Sequence, residues 1–468
     1  MFVGRTQELK AMRHLHQRGQ PELLILYGKR RVGKTALIRE FISHSPQALY
    51  FLAQRMTERE SLRALAKATG ELWEDPLLEK TGYPSWPDFF DRIHRQYQIR
   101  PWETPWILAI DEFPYLAESS PGVSSFFQAG WDQILSQLPV FLILCGSSMA
   151  MMESETLAYK APLYGRRTAQ ILLEPLTFLE ARQFFPDAPF AKAMEFISVA
   201  GGTPGYLARL APYADLHQAL QAEVFSPETM LFREGEFLLV EELREPRTYF
   251  SILQAIAHHC HKLSEIINET GLAKSALHVY LHTLESLRLI AREVPATEKW
   301  PDRSRQGRYF LADPFLEFWF QFVFPFTSSL TLGNTRPAFA AFNQGFPTLV
   351  AKQYERLARE WVLAHQDAIF SVDRIGRWWD RNEEIDVVAV NEAENRILFG
   401  EVKWTERRVG SGLLEELKRK AALVSWGQPG RQETYCLFSK SGFIPALEEQ
   451  AKREGVLLVA EDHLALQG

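Results

Sequence analysis

The feature that most narrows what this chain can fold into is the stretch Gly28-Lys29-Arg30-Arg31-Val32-Gly33-Lys34-Thr35, which satisfies GxxxxGK[ST] in full. An apolar run, 23–27 (LLILY), ends at Gly28, and a helical pattern follows from Lys34 through Phe41. Strand, glycine-bearing loop and helix in that order make a phosphate cradle. The glycines let the backbone from Arg31 through Ala36, including Val32 and Gly33, turn its amides toward an anion, and the helix N-terminus adds positive potential. Lys34 reaches the terminal phosphates and Thr35 offers its hydroxyl to Mg2+. A turn merely enriched in basic residues does not account for the Lys-Thr pair.

Two further apolar runs end in polar residues. Residues 106–110 lead into Asp111-Glu112, and 140–144 lead into Cys145-Gly146-Ser147-Ser148. Continuous runs of this kind suit parallel strands buried on both faces, with helical crossovers between them. An α/β core is therefore expected over 1–180. Asp111 is placed to hold the magnesium shell and Glu112 to polarise the attacking water. Ser147 and Ser148 are read as ligands of the terminal phosphate or that water, or as ordinary turn serines. Arg166 and Arg167 are read in two ways: as charges that neutralise the transition state, within the chain or across a contact in a homo-oligomer, or as solvated surface arginines. Residues 181–245, punctuated by Pro186, Pro189 and Gly201-Gly202-Thr203-Pro204-Gly205, read as a helical lid.

With these motifs, and with Phe2-Val3-Gly4-Arg5 and Glu8-Leu9 at the N-terminus, residues 1–245 resemble archaeal-type ATPases related to the STAND and AAA+ classes. The resemblance implies ATP as ligand and an ATP-driven switch or machine. It also implies that the N-terminal box lies beside the adenine and that Pro204 of Gly202-Thr203-Pro204 contacts the nucleotide from the lid.

Helical patterns at 248–258, 262–269 and 273–287, then strands at 289–294 and 308–311 across a charged loop, follow the order of a winged helix-turn-helix. It is expected over 246–326, with the aromatic segment 313–326 packed against it as a core helix. Lys274, Ser275, His278 and His282 fall on the outer face of the recognition helix, and Arg303, Arg305 and Arg308 flank the wing. DNA is the expected partner; a protein-interaction wing is the alternative. His258-His259-Cys260-His261 points around a helix end with no second ligand pair following, so it reads as a histidine-rich terminus rather than a metal site.

Residues 327–345 read as a connector and 346–468 as a second, smaller α/β unit. Within it, Glu384–Val390 and Arg396–Trp404 flank a turn, and symmetrical antiparallel pairing sets Asp386 opposite Glu401. Lys403 shares their face. Opposed carboxylates repel unless a cation lies between them, so a divalent ion is expected there, with Lys403 orienting or deprotonating a water and Glu355 as a further ligand. Lys418 and Lys420 either help with phosphate or face solvent. The pattern is similar to the PD-(D/E)XK nuclease fold, with Asp386 as the motif aspartate and Glu401-x-Lys403 as the E-x-K element. Together with Trp378-Trp379, it makes the whole chain resemble archaeal-type ATPases that carry a PD-(D/E)XK-like domain. A degenerate nuclease fold kept for binding, or a salt-bridged surface hairpin, is the alternative.

A formal charge of −6 gives no global attraction to polyanions, so nucleic-acid contacts must be local. Cys145, Cys260 and Cys436 show no pairing pattern and MFVGRTQELK lacks an apolar leader, which points to the reducing cytoplasm. The most apolar stretch, 315–326, falls short of the roughly 20 residues a membrane span needs. The expected function is an ATP-hydrolysing protein that acts on DNA, with nucleotide state controlling the winged helix and a Mg2+-dependent nuclease domain in which Mn2+ can replace Mg2+. The alternative is a STAND-like signalling or scaffold ATPase whose last domains bind without cutting.

Overall fold

The computed structural model describes residues 2–45, 47–243 and 245–465, which form two units, Met1–Leu176 with Gly202–Gly205, and Thr177–Gly201 with Tyr206–Gly468. In the first, strands β1 (Glu22–Tyr27), β2 (Ala48–Leu52), β3 (Trp106–Asp111), β4 (Val140–Gly146) and β5 (Ala169–Leu172) pair in parallel in the order β2-β3-β4-β1-β5. Every residue of β3 and β4 is buried, as their unbroken apolar runs require. Helices α1 (Thr6–Gln17) and α2 (Lys34–Ile42) cover one face through Leu9, Met12, Leu37 and Ile38. On the other face, α3 (Glu58–Trp73), α4 (Trp86–Ile99) and α5 (Val123–Gln133) build an aromatic core around Trp86, Phe89 and Phe127. Because β4 lies between β1 and β3, its Ser147 end sits between the phosphate loop and Asp111. Neither β2 nor β5 was legible in the sequence, since both are short and half-buried.

The second unit begins with α6 (Phe190–Ala200), α7 (Leu216–Glu223) and α8 (Met230–Glu242). Then come α9 (Pro246–Ala257), α10 (Leu263–Thr270), α11 (Lys274–Ser286) and the antiparallel hairpin of β6 (Ile290–Glu293) with β7 (Arg308–Leu311), in winged-helix order. The next helix, α12 (Pro314–Phe322), is buried through Phe315, Leu316, Phe318, Trp319, Phe320 and Phe322. Its Trp319 lies where a Cβ on Gly235 of α8 would stand, which restricts that position to glycine, and donates to the Phe232 carbonyl at 2.8 Å.

The stretch expected as a connector differs. One helix, α13 (Arg336–Ala364), starts inside it, and the short helix Thr327–Thr331 occupies its beginning. Pro337 and Gly345 looked like breakers. Proline in the first helical turn lacks only a hydrogen bond that would not form anyway, and Gly345 lets α13 approach Phe322.

The last element is a six-stranded sheet in the order β13-β12-β11-β10-β9-β8, made of β8 (Arg374–Trp379), β9 (Glu384–Asn391), β10 (Arg396–Lys403), β11 (Gln432–Ser439), β12 (Leu457–Ala460) and β13 (His463–Leu464). β8, β9 and β10 form an antiparallel meander, while β10, β11 and β12 run parallel across the crossover helices α14 (Ser411–Ala421) and α15 (Pro445–Glu454). The register runs from Arg396↔Asn391 to Gly400↔Val387, and continuing it sets Glu401 opposite Asp386. Leu414, Leu417 and Ala421 of α14 pack with Val388, Val390, Ile397 and Phe399 of the sheet. Among the described residues, no helix is long and apolar enough to cross a membrane.

Candidate functional site

The phosphate loop is shaped by backbone that only some residues tolerate. Gly28 and Gly33 have positive φ (154° and 97°), and a Cβ on Gly28 would collide with the Leu173 carbonyl. Arg31 also has positive φ, and its carbonyl accepts from the Gly205 amide at 3.1 Å. This contact lays Gly202-Thr203-Pro204 along the loop, with Pro204 Cγ 3.9 Å from where a Gly33 Cβ would stand. Buried Arg5 donates to the Val32 carbonyl at 2.8 Å and pairs with Glu8 at 3.2 Å, so the N-terminal box braces the loop. Lys34 Nζ donates to the carbonyls of Gly28 and Lys29, both at 2.9 Å. Ala36 is exposed in the first turn of α2.

Thr35 Oγ1 donates to Asp111 Oδ2 at 2.6 Å, which brings together the two oxygens expected at magnesium. Tyr50 of β2 donates to the same oxygen at 2.8 Å. Burial, then the Asp111 charge, lifts its phenol well above the usual range and keeps it a neutral donor. Glu112 has positive φ and its carboxylate accepts from Ser147 Oγ at 2.5 Å and from the Ser147 amide at 3.2 Å. Ser147 therefore holds the glutamate, and Ser148 caps the short helix Met149–Met152 through the Met151 amide. Arg166 pairs with Asp132 at 3.1 Å, while Arg167 donates to the Thr156 and Leu157 carbonyls, both at 3.3 Å. These contacts tie both arginines to their own unit.

The second cluster lies at the ends of β9 and β10. Asp386 Oδ2 accepts from the Val402 amide at 2.9 Å, and its carbonyl accepts from Arg359 of α13 at 3.1 Å. Lys403 Nζ is 3.0 Å from Glu401 Oε1, and Lys420 of α14 reaches both Glu401 oxygens at 3.2 and 3.4 Å. Burial, then the charges of Glu355 and Glu401, pushes the Asp386 carboxyl up to about 7. Burial also raises Glu355, whose Oε2 has no hydrogen-bond partner and lies 3.8 Å from Arg377. Burial opposes the charge on Lys403, but Glu401, Asp386 and Glu355 together outweigh it and lift the ammonium above its usual value. Lys418 pairs with Glu454 at 2.5 Å, so of the two helix lysines only Lys420 faces the cluster. Among the described residues, no three His, Cys, Asp or Glu side chains gather as a metal-ligand set. The three-carboxylate arrangement expected of Asp386, Glu401 and Glu355 is therefore not closed around one point, because Glu401 turns to two lysines and Glu355 toward Arg377.

In the winged helix, Lys274, Ser275, His278 and His282 are exposed along α11, and Arg303 and Arg305 are exposed on the wing. Arg308 departs from the expectation of a phosphate contact: it pairs with Glu384 at 3.1 Å and lies over Trp379 at 4.4 Å. Arg292 pins the wing through the carbonyls of Pro301 (3.0 Å) and Ser304 (2.6 Å). His261 packs on Phe310 and bonds the Tyr309 carbonyl at 2.9 Å; burial, then Lys352, pushes it down to about 4.

Residues 2–210 match an ATPase domain found predominantly in Archaea, 249–293 the IclR helix-turn-helix domain, and 319–420 a family of archaeal and bacterial proteins of unknown function. The uncharacterized protein MJECL04 of Methanocaldococcus jannaschii is 34% identical over 450 residues, covering 94% of this chain and 96% of that protein. The chain belongs to the same family as this protein, with an ATPase domain of a type found predominantly in Archaea. A shorter match, 46% identical over 44 residues, joins 9% of the chain to 75% of the uncharacterized ATP-binding protein MJ0423 of the same organism. The Walker-type ATPase PABY2304 of Pyrococcus abyssi shares the fold, with a TM-score of 0.51 at 21% identity over 68% of this chain and 96% of that one.

Three contacts in this ATPase escaped sequence reading: Tyr50 on Asp111, Ser147 on Glu112 and Lys420 on Glu401. The apolar run ending at Ser147 was the one available signal. The other two contacts depend on strand pairing and on the face that α14 turns to the sheet.

Proposed function

We propose that this ATPase acts on DNA, with nucleotide state controlling a DNA-contacting winged helix and a phosphodiester-hydrolysing centre of PD-(D/E)XK type. Its parts would be the ATPase core (1–180), the lid (181–245), the winged helix with its packed helix (246–326) and the nuclease-like domain (346–468). At the ATPase site, Lys34 would bind the terminal phosphates, Thr35 and Asp111 would hold Mg2+, and Glu112, oriented by Ser147, would take a proton from water. Bound there, Mg2+ would neutralise phosphate charge.

The observation that carries the nuclease reading is the grouping of Asp386, Glu401 and Lys403 at adjoining strand ends, with Asp386 buried among like charges. The crowded negative charge that, with burial, pushes the Asp386 carboxyl up, and the Glu355 oxygen that lacks a hydrogen bond, both suit a divalent cation, which would supply positive charge to a scissile phosphate. Asp386 and Glu401 would hold it, and Lys403 would orient the water.

Incubating the full chain with plasmid and forked DNA in Mg2+ or Mn2+ tests this. The parent should cleave, and Lys403→Ala and Asp386→Asn should each lose about 10²-fold or more. The closure of Glu401 by Lys403 and Lys420 favours a second reading, a STAND-like signalling or scaffold ATPase with a binding C-terminal domain. Absence of cleavage under every metal condition selects it.

A further inference from the structure

The wing does not stand free of the C-terminal sheet. The Ala296 amide donates to the Arg377 carbonyl of β8 at 2.8 Å, Arg374 donates to the Glu298 carbonyl at 2.5 Å, and Ala296 is buried within the core of the sheet. Beneath these bonds, the nine-tenths buried Arg377 pairs with Glu293 of β6 at 3.1 Å and Glu384 of β9 at 3.4 Å, with its guanidinium over Phe310 of β7. Both winged-helix strands and the adjacent strands β8 and β9 of the sheet are thus held by one guanidinium. Breaking such a buried pair leaves an uncompensated charge, so separating these parts is costly.

Between the wing and the β8–β9 turn lies a groove of about 1010 Å³. Its charged lining is Lys262, Arg305, Arg308 and Arg381 against Asp380 alone. Asp380 is turned inward, its carboxylate accepting from the Asn382 and Glu383 amides, both at 2.8 Å. Arg308 is engaged with Glu384 and forms the floor with Trp379, while Lys262, Arg305 and Arg381 are exposed at the rim. A second groove, on the recognition-helix side, has Lys274, His278 and Arg292 beside Glu285 and Asp302 in its lining and shares Leu263, Arg305 and Gly307 with the first. The two run into each other across the wing, and Glu384, which helps seat the floor, is two residues from Asp386.

We propose that the groove between the wing and the β8–β9 turn binds the phosphate backbone of duplex DNA flanking the segment engaged by α11, so that one duplex spans the helix-turn-helix and the edge of the carboxylate centre. This rests on the DNA-acting reading and adds the path of the DNA and a contact, Arg381, outside the helix-turn-helix. Fixed spacing between the two grooves removes the cost of ordering two modules on one ligand.

The test is fluorescence anisotropy of the full chain with a labelled duplex of about two helical turns, ~20 bp, across a salt series. Arg381→Glu and Arg305→Glu should each weaken binding about tenfold and lower the log–log salt slope by roughly 1. Arg381→Lys, which keeps the charge, should restore most of the affinity. Arg453→Glu, at a residue that is also exposed and lies on α15, should bind as the parent does. If Lys274→Glu abolishes binding while Arg381→Glu behaves like Arg453→Glu, the groove is refuted and the DNA reading stands. If the parent itself binds no duplex at any salt concentration, both fall.

Discussion

The phosphate loop and the carboxylate cluster hold their reactive groups by opposite means. In the loop, shape does the holding: positive-φ glycines, a carbonyl bond from Gly205 and the brace from Arg5 set Lys34 and Thr35, whose partners are two carbonyls and one carboxylate oxygen. In the cluster, charge balance does it. Asp386 and Glu401 on adjoining strands and Glu355 from α13 crowd negative charge, and Lys403, Lys420 and Arg377 offset it from three other positions. A site held by backbone shape should fail through the chemistry of single side chains, whereas one held by charge balance should respond to pH.

The largest effect that separates the two belongs to the loop. Glu112→Gln should retain ATP binding and lose hydrolysis by about 10²–10⁴, while Lys34→Ala should lose tight binding itself. Equilibrium titration beside steady-state turnover distinguishes them, and Glu112→Gln turning over at the parent rate would remove the water-activating role.

Asp386 supplies the pH test. Its folded pKa of about 7 exceeds the ordinary 3.8, so the native chain holds a proton that the unfolded chain releases between these values. The sign follows: this carboxyl's contribution is most favourable below pH 4 and is lost as pH rises toward 7. Asp386→Asn should therefore gain thermal stability relative to the parent between pH 5 and 7.5, and melting curves that stay parallel would break the contrast.

A smaller effect sharpens the loop side. Tyr50→Phe removes one of the bonds to Asp111, so hydrolysis should fall several-fold, about 1 kcal/mol, while the melting temperature shifts little. A turnover unchanged within error would mean that Thr35 and the Glu112 amide suffice to orient Asp111.

His261 should show the smallest effect, with the opposite sign to Asp386. Its native pKa near 4 lies below the ordinary 6.5, so the stability it confers is present above pH 6.5 and drains away as pH falls toward 4. His261→Gln should flatten the acid limb of the melting profile, and an unchanged limb would assign acid sensitivity elsewhere.

What the sequence determined alone was whatever depends on residues near one another along the chain. The loop from Gly28 to Thr35, the apolar runs ending at Asp111 and Ser147, the order of the winged helix and the antiparallel register of β9 with β10 were all legible, because strand period and hydrogen-bonded register are local rules. Tertiary structure decided what depends on contacts distant in sequence. It made Pro337 the start of a long helix rather than a break, and it added β8 as an edge strand against the wing. It turned Arg308 from a prospective phosphate ligand into the partner of Glu384 and brought Lys420 onto Glu401. A charge written in a sequence carries no partner. Which opposite charge it meets is settled only when burial makes an unpaired one costly, and that cost arises from packing between elements.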